Sequence, residues 1–337
     1  MRARTWGVAL VGLLAWAAAP TPGWAEEKEP LGIAMEGYPY PYPVHFFEVK
    51  IQGQDLRMAY MDVPPASGDL RGTVVLFHGK NFFGAYWKAT IEVLTKAGFR
   101  VVVPDQLGFG KSSKPDIHYS FHLMAKTTHD LLESVGVQRT AIVGHSMGGM
   151  VSTRFVLMYP EMVSQFVLEN PIGLEDYGEK APYVSTEKLY AQQLAATEES
   201  LRKYQRGYYV EWKPEYDEYV QVQARWIGSG EYPRLAWSAA LTTQMIYEQP
   251  VAHEFSLLKP PVLLVIGQSD RTAIGKERVT PEVAATMGNY PELGRRVAKE
   301  IPNAKLVEIE RCGHIPHFEA PEKFHAALLD FLRSGEK

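Results

Sequence analysis

Thr140-Ala141-Ile142-Val143-Gly144-His145-Ser146-Met147-Gly148-Gly149 decides how this chain is read. An apolar, partly β-branched run enters a Gly-x-Ser-x-Gly turn, and residues 147–159 then carry a helical pattern. A strand that turns sharply into a helix pushes the serine oxygen out above the end of a sheet, and the glycines keep neighbouring side chains from blocking the turn. The helix N-terminus beneath favours negative charge developing nearby. A bare Gly-x-Ser-x-Gly arises by chance; the strand before it and the helix after it give this one its weight.

On both sides of this elbow the texture is that of an α/β chain. Residues 44–52 and 56–63 read as a hairpin about Gly53, and 73–77, 100–103, 140–143 and 165–168 as short strands separated by amphipathic helices. Near-continuous apolar strands with helical crossovers predict a mostly parallel central sheet covered by helices on both faces. The alternation stops after Pro171. It resumes at a strand over 262–266, with another at 305–309 and a last helix over about 321–332. The expected layout is a body over 44–171 and 260–337 with an inserted helical cap over 172–259.

A serine hydroxyl is a poor nucleophile until a base takes its proton, so a histidine and an orienting acid should follow. In the order this layout uses, serine comes first, then acid, then histidine. Asp270, in Gly267-Gln268-Ser269-Asp270, follows the strand over 262–266, and His314, in Gly313-His314-Ile315-Pro316, follows the strand over 305–309. Both lie at carboxyl ends of strands, where sites in open parallel sheets gather. His317 is the rival base, and Glu169 and Asp176 are the rival acids. The tetrahedral intermediate needs preorganised donors. The N–H of Met147 is the natural first, and the N–H of Lys80, with Asn81 as second choice, comes from the loop after the strand over 73–77. The side chains of Lys80 and Asn81 either join that site or serve as polar groups of the loop. Phe82, Phe83 and Trp87 are candidates for the substrate-pocket wall, as are the tyrosines and tryptophans from Tyr190 to Tyr247.

The 337 residues are 46% hydrophobic and 22% charged, with a formal net charge of -4. That is an ordinary globular composition without a basic field for nucleic acid. Arg2 and Arg4, an apolar run over 8–19 and Gly23-Trp24-Ala25 have the order of a secretory signal peptide, with cleavage expected after Ala25. The run is short for a membrane span; the alternative is an uncleaved anchor. A mature, periplasmic or secreted chain would begin at Glu26 with no second membrane-inserting segment, and 26–43, rich in Pro and Tyr, would be an extended lead-in across the surface. The single cysteine, Cys312, excludes an intrachain disulfide and reads as a buried small residue. No metal-ligand cluster, nucleotide cradle or flavin site is apparent, so no cofactor is expected, and the expected partner is a small-molecule substrate. Nothing in the sequence specifies an oligomeric state.

Taken together, His78-Gly79, the Asp105-Gln106-Leu107-Gly108-Phe109-Gly110-Lys111-Ser112 loop, the Ser146 elbow, Gly267-Gln268-Ser269-Asp270 and Gly313-His314-Ile315-Pro316 resemble the α/β-hydrolase superfamily. More narrowly, they resemble its helical-cap branch of esterases, epoxide hydrolases, dehalogenases, cofactor-free haloperoxidases, carbon–carbon hydrolases and proline iminopeptidases. Epoxide hydrolases and dehalogenases place an aspartate where Ser146 stands, so the resemblance implies acyl transfer at a carbonyl rather than attack on saturated carbon. Hydrolysis of a small-to-medium apolar ester is the first expectation. A proline iminopeptidase, whose cap acids (here Glu175, Asp176 and Glu179) would bind the substrate amine, and a carbon–carbon hydrolase are the alternatives. A non-catalytic ligand-binding or sensor protein on the same fold is a further one. Asp105 reads as a turn-stabilising carboxylate.

Overall fold

The computed structural model describes residues 29–66, 68 and 70–335, so the expected signal peptide lies outside the described residues. Eight strands form one sheet: β1 (Val44–Ile51), β2 (Gln54–Val63), β3 (Gly72–Phe77), β4 (Phe99–Pro104), β5 (Thr140–His145), β6 (Val163–Glu169), β7 (Val262–Gly267) and β8 (Ala304–Ile309). Their order is β1-β2-β4-β3-β5-β6-β7-β8, antiparallel from β1 to β4 and parallel from β4 to β8. The alternating, half-exposed β1 stands at one edge, whereas β5 and β7 are buried along their whole length.

The two-residue period of the central strands divides the core. Val75, Phe77, Val102, Ile142, Phe166 and Leu264 face a layer that contains α2 (Phe121–Ser134), α3 (Met147–Met158) and α9 (Tyr290–Glu300). Val74, Leu76, Val103, Val143, Val167 and Val265 face α1 (Lys88–Lys96) and α11 (Pro321–Ser334). Successive side chains of a strand point to opposite faces, so a sheet covered on both sides needs apolar residues at every position. A side chain marks the start of α2, where the Ser120 hydroxyl accepts from the Leu123 N–H.

Between β6 and β7 the chain forms α4 (Thr186–Leu194), α5 (Glu198–Arg206), α6 (Asp217–Ile227) and α7 (Tyr232–Glu248), with α4 packed on α7 and α5 on α6. Two short helices, α8 (Pro281–Ala285) and α10 (Pro316–Glu319), complete the set. The α10 turn follows His314 directly.

The lead-in departs from the expected surface path. Leu31 and Met35 are fully buried, in a cluster with Phe83, Val222 and Trp226. The Leu31 N–H donates to the Arg225 carbonyl at 3.1 Å, and the Trp226 indole donates to the Gly32 carbonyl at 3.1 Å. Proline keeps this segment out of helix and sheet, but its apolar residues still seek a core, and they find one between α6 and the body.

Candidate active site

Ser146 sits where β5 gives way to α3, with φ 55° and ψ -122°. This left-handed setting is unfavourable for a residue with a Cβ and persists only where the surroundings impose it. Here they do. A Cβ on Gly148 would strike the Phe77 carbonyl, and one on Gly79 would come within 3.0 Å of the Ser146 Cβ. The elbow and the loop after β3 are therefore packed backbone to backbone, and the two glycines permit it.

The structure brings Ser146, His314 and Asp270 into one hydrogen-bonded row. Ser146 Oγ lies 2.9 Å from His314 Nε2, and His314 Nδ1 lies 2.7 Å from Asp270 Oδ2. All three are buried, Ser146 retaining 5% exposure. Burial alone would favour the neutral form of Asp270. The His314 imidazole and hydrogen bonds from His314, Asn170 and the Thr272 N–H outweigh that penalty and hold the carboxyl below its ordinary value. Asn170 has φ 34°; its amide donates to Asp270 Oδ2 at 2.7 Å and its carbonyl oxygen accepts from the Gly267 N–H at 2.8 Å. One residue beyond the rival acid at 169, it has no motif to announce it and was not among the residues expected at the site.

A second network braces the row from behind. The Gly79 N–H donates to Tyr86 Oη at 3.0 Å, which leaves that hydroxyl to donate to His145 Nδ1, also at 3.0 Å. His145 Nε2–H then donates to the His314 carbonyl at 2.8 Å, so the partners fix the tautomer. Burial pushes His145 down to about 3, which keeps it neutral in this role. The rival residues of the sequence analysis pair with each other instead. His317 Nδ1 is 2.9 Å from Glu169 Oε1, beneath the row, with Trp87 stacked on the imidazole at 4.3 Å. Burial raises Glu169 to about 7 and holds His317 well below its ordinary value, so it drives both toward their neutral forms. Asp176 accepts from the Gly178 N–H and faces His253 at 3.1 Å.

The N–H groups of Met147 and Lys80 have no hydrogen-bond partner among the described residues. Lys80, Asn81 and Phe82 line a cavity between the body and the cap, together with Phe109, Trp226 and Tyr232 among others. Tyr208 comes down from the cap over the row: its ring stacks on His314 at 4.8 Å, and its carbonyl accepts the His314 N–H at 2.7 Å. Its hydroxyl accepts from Asn81 Nδ2 at 3.1 Å.

Three expectations are corrected. Trp87 is not on the cavity wall: it is fully buried in the layer under the sheet ends, where its size serves the His317 stack. Phe83 is likewise turned away, packed against Tyr38 and Tyr40 of the lead-in. The cap acids do not point into the cavity: Glu175 is engaged by Lys180 at 2.8 Å and by the Gly288 N–H at 2.7 Å, and Glu179 is exposed. Asp105 accepts from the Gly84 N–H at 2.6 Å, the Lys111 N–H at 2.7 Å and the Tyr40 hydroxyl at 2.6 Å, as befits a carboxylate that holds its loop. Cys312 is buried, and burial raises its thiol far above the range in which it would ionise.

A parallel sheet with a serine elbow at the end of a central strand and a His–Asp pair at the ends of two later strands defines a class of hydrolase. The chain belongs to that family, for residues 72–321 match the family model described as the alpha/beta hydrolase fold. It is similar in structure to a protein described as a probable hydrolytic enzyme from Pseudomonas aeruginosa PAO1. The two are 47% identical with a TM-score of 0.88, over 90% of this chain and 98% of the other. A bromoperoxidase from Bacillus anthracis, 22% identical with a TM-score of 0.66 over 86% of this chain and all of the other (100%), shares the fold. In sequence, the chain is 26% identical over 291 residues to a 2-hydroxy-6-oxononadienedioate/2-hydroxy-6-oxononatrienedioate hydrolase from Paraburkholderia phymatum, covering 83% of this chain and 92% of that one. No helix among the described residues is long and apolar enough to cross a membrane.

Proposed function

We propose that this α/β hydrolase is a serine enzyme that cleaves a carboxylic ester through an acyl-enzyme on Ser146. The observation that carries this reading is the unbroken row from Ser146 Oγ through His314 to Asp270, with steps of 2.9 and 2.7 Å. In the proposed reaction, Ser146 Oγ attacks the ester carbonyl carbon while His314 Nε2 takes its proton. Asp270 stabilises the imidazolium, and the unpartnered N–H groups of Met147 and Lys80 receive the oxyanion. His314 then delivers the proton to the leaving alcohol. Water, activated by the same imidazole, attacks the acyl-enzyme carbonyl and releases the acid, which restores Ser146. A fluorophosphonate should label the protein once, and peptide mapping should find the adduct on Ser146. An unlabelled protein, or an adduct elsewhere, would contradict the proposal.

Carbon–carbon hydrolysis is the second reading, favoured by the similarity to the nonadienedioate hydrolase over nearly its whole length. It would use the same row with a carbanionic leaving group. The aminopeptidase reading has less to support it, because Glu175 and Asp176 already have partners within the protein and Glu179 is exposed. For location, we propose export, with residues 1–25 removed as a signal peptide.

A further inference from the structure

The side chain of Lys80 is not explained by the reaction above, in which only its N–H takes part. Its Nζ donates to the Ala239 carbonyl at 3.0 Å and to Thr242 Oγ1 at 3.1 Å, both on α7 of the cap, and it lies over the Phe109 ring at 5.9 Å from the centroid. An ammonium has three donors, and these contacts use two of them. No ion pair is made to Lys80 among the described residues, and none of the residues lining its cavity is acidic. The adjoining space around Lys80 and Asn81 contains Glu277, but that carboxylate is paired with Arg278 at 2.8 Å.

A cation kept in such surroundings without a counter-ion is costly. Desolvation brings the Lys80 amine down to about 7. A polar tie between the loop and the cap needs only a neutral donor, which a glutamine would supply without that cost. The lysine makes chemical sense if its partner is transient. Its position is suited to this. Gly79, the preceding residue, packs on Ser146, and Asn81, the next, holds the hydroxyl of the tyrosine stacked on His314. A group seated at Lys80 is thus held on the same short loop that would receive the oxyanion.

We propose that the third donor of Lys80 receives a carboxylate carried on the acyl chain of the substrate, so that the site selects acid-bearing acyl compounds over neutral ones. This inference deepens the ester-hydrolase reading and rests on it. The apolar cavity wall takes the intervening methylenes, and Lys80 reads the far end of the chain.

The test compares the monomethyl ester of adipic acid with methyl hexanoate, followed by pH-stat on wild type, Lys80→Met and Lys80→Gln. The readout is the ratio of kcat/KM for the two esters within each protein. Any damage to the oxyanion loop lowers both numbers and leaves the ratio untouched. A lost charge-assisted hydrogen bond should lower the ratio about tenfold or more in both variants, mainly through KM. Lys80→Gln retains a donor toward α7, so it keeps the test alive if Lys80→Met fails to fold. Adipate should also slow fluorophosphonate labelling of wild type, where hexanoate does not, and should lose that effect in Lys80→Gln. An unchanged ratio in a protein that cleaves both esters overturns the Lys80 proposal and leaves the hydrolase reading standing. Should neither ester be cleaved, the ester reading fails. Adipate protection that depends on Lys80 would then still support the anion site, and its absence would overturn it.

Discussion

Replacing Asn170 with alanine should damage stability and activity together, by amounts that follow from its contacts. The variant removes the 2.7 Å donor to Asp270, a charge-assisted bond of about 1.5–3 kcal/mol. It also strands the Gly267 N–H, which donates to Asn170 at 2.8 Å and would remain buried and unpaired at a cost of about 1–3 kcal/mol. Alanine tolerates φ 34° less well than asparagine, which adds to the loss. The total, about 2.5–6 kcal/mol, corresponds to a fall in Tm of roughly 4–9 °C for a chain of this size. The pH dependence has a definite sign. Asp270 is held below its ordinary value, so it contributes stability above that value and loses it as pH falls through the folded one. Without the Asn170 donor the folded value rises, and the acid-side loss of stability begins at higher pH. A less constrained Asp270 also orients His314 less well, and kcat should drop about 10- to 100-fold. Thermal unfolding from neutral to acid pH, together with ester kinetics, measures all three. An Asn170→Ala protein with a Tm within about 2 °C of wild type and an unmoved acid limb would refute the role assigned to this side chain.

Tyr86→Phe should destabilise the protein by about 2–5 kcal/mol in chemical denaturation, since the Gly79 N–H and His145 Nδ1 both lose their partner in a buried site. Trp87→Ala should cost about 3–5 kcal/mol in stability and leave the chain-length preference toward esters unchanged. Phe82→Ala, on the cavity wall, should shift that preference toward longer acyl chains. Mass spectrometry of the protein recovered from an exporting host should find Glu26 at its N-terminus; a retained Met1 would contradict the signal-peptide proposal.

The sheet was legible in the sequence because its strands are buried on both faces. Apolar runs such as Val262–Gly267 leave little else for the chain to be, and the elbow around Ser146 fixes where the strand must stop. Asp270 and His314 could be placed by chain order and by strand ends. The support beneath them could not. Asn170, Tyr86 and His145 act through side-chain hydrogen bonds that cross long sequence separations, and no local pattern records such a bond. His317 and Glu169 were singled out as rivals because they also stand near strand ends. Only their side-chain directions show that they answer one another. The same holds for the aromatics: composition identifies a tyrosine-rich cap but does not say that Tyr208 covers His314 while Trp87 lies behind it. For the lead-in, proline correctly argued against regular structure, yet the burial of Leu31 and Met35 depends on α6, nearly two hundred residues away.

Hydrolysis of a chain-length series of p-nitrophenyl esters by wild type and Ser146→Ala tests the central proposal most directly. Removing the nucleophile should cost at least about 10³-fold in kcat, leaving only the residual catalysis of the oxyanion donors and binding. Normal turnover by Ser146→Ala would show that Ser146 is not the nucleophile and that the proposed mechanism is wrong.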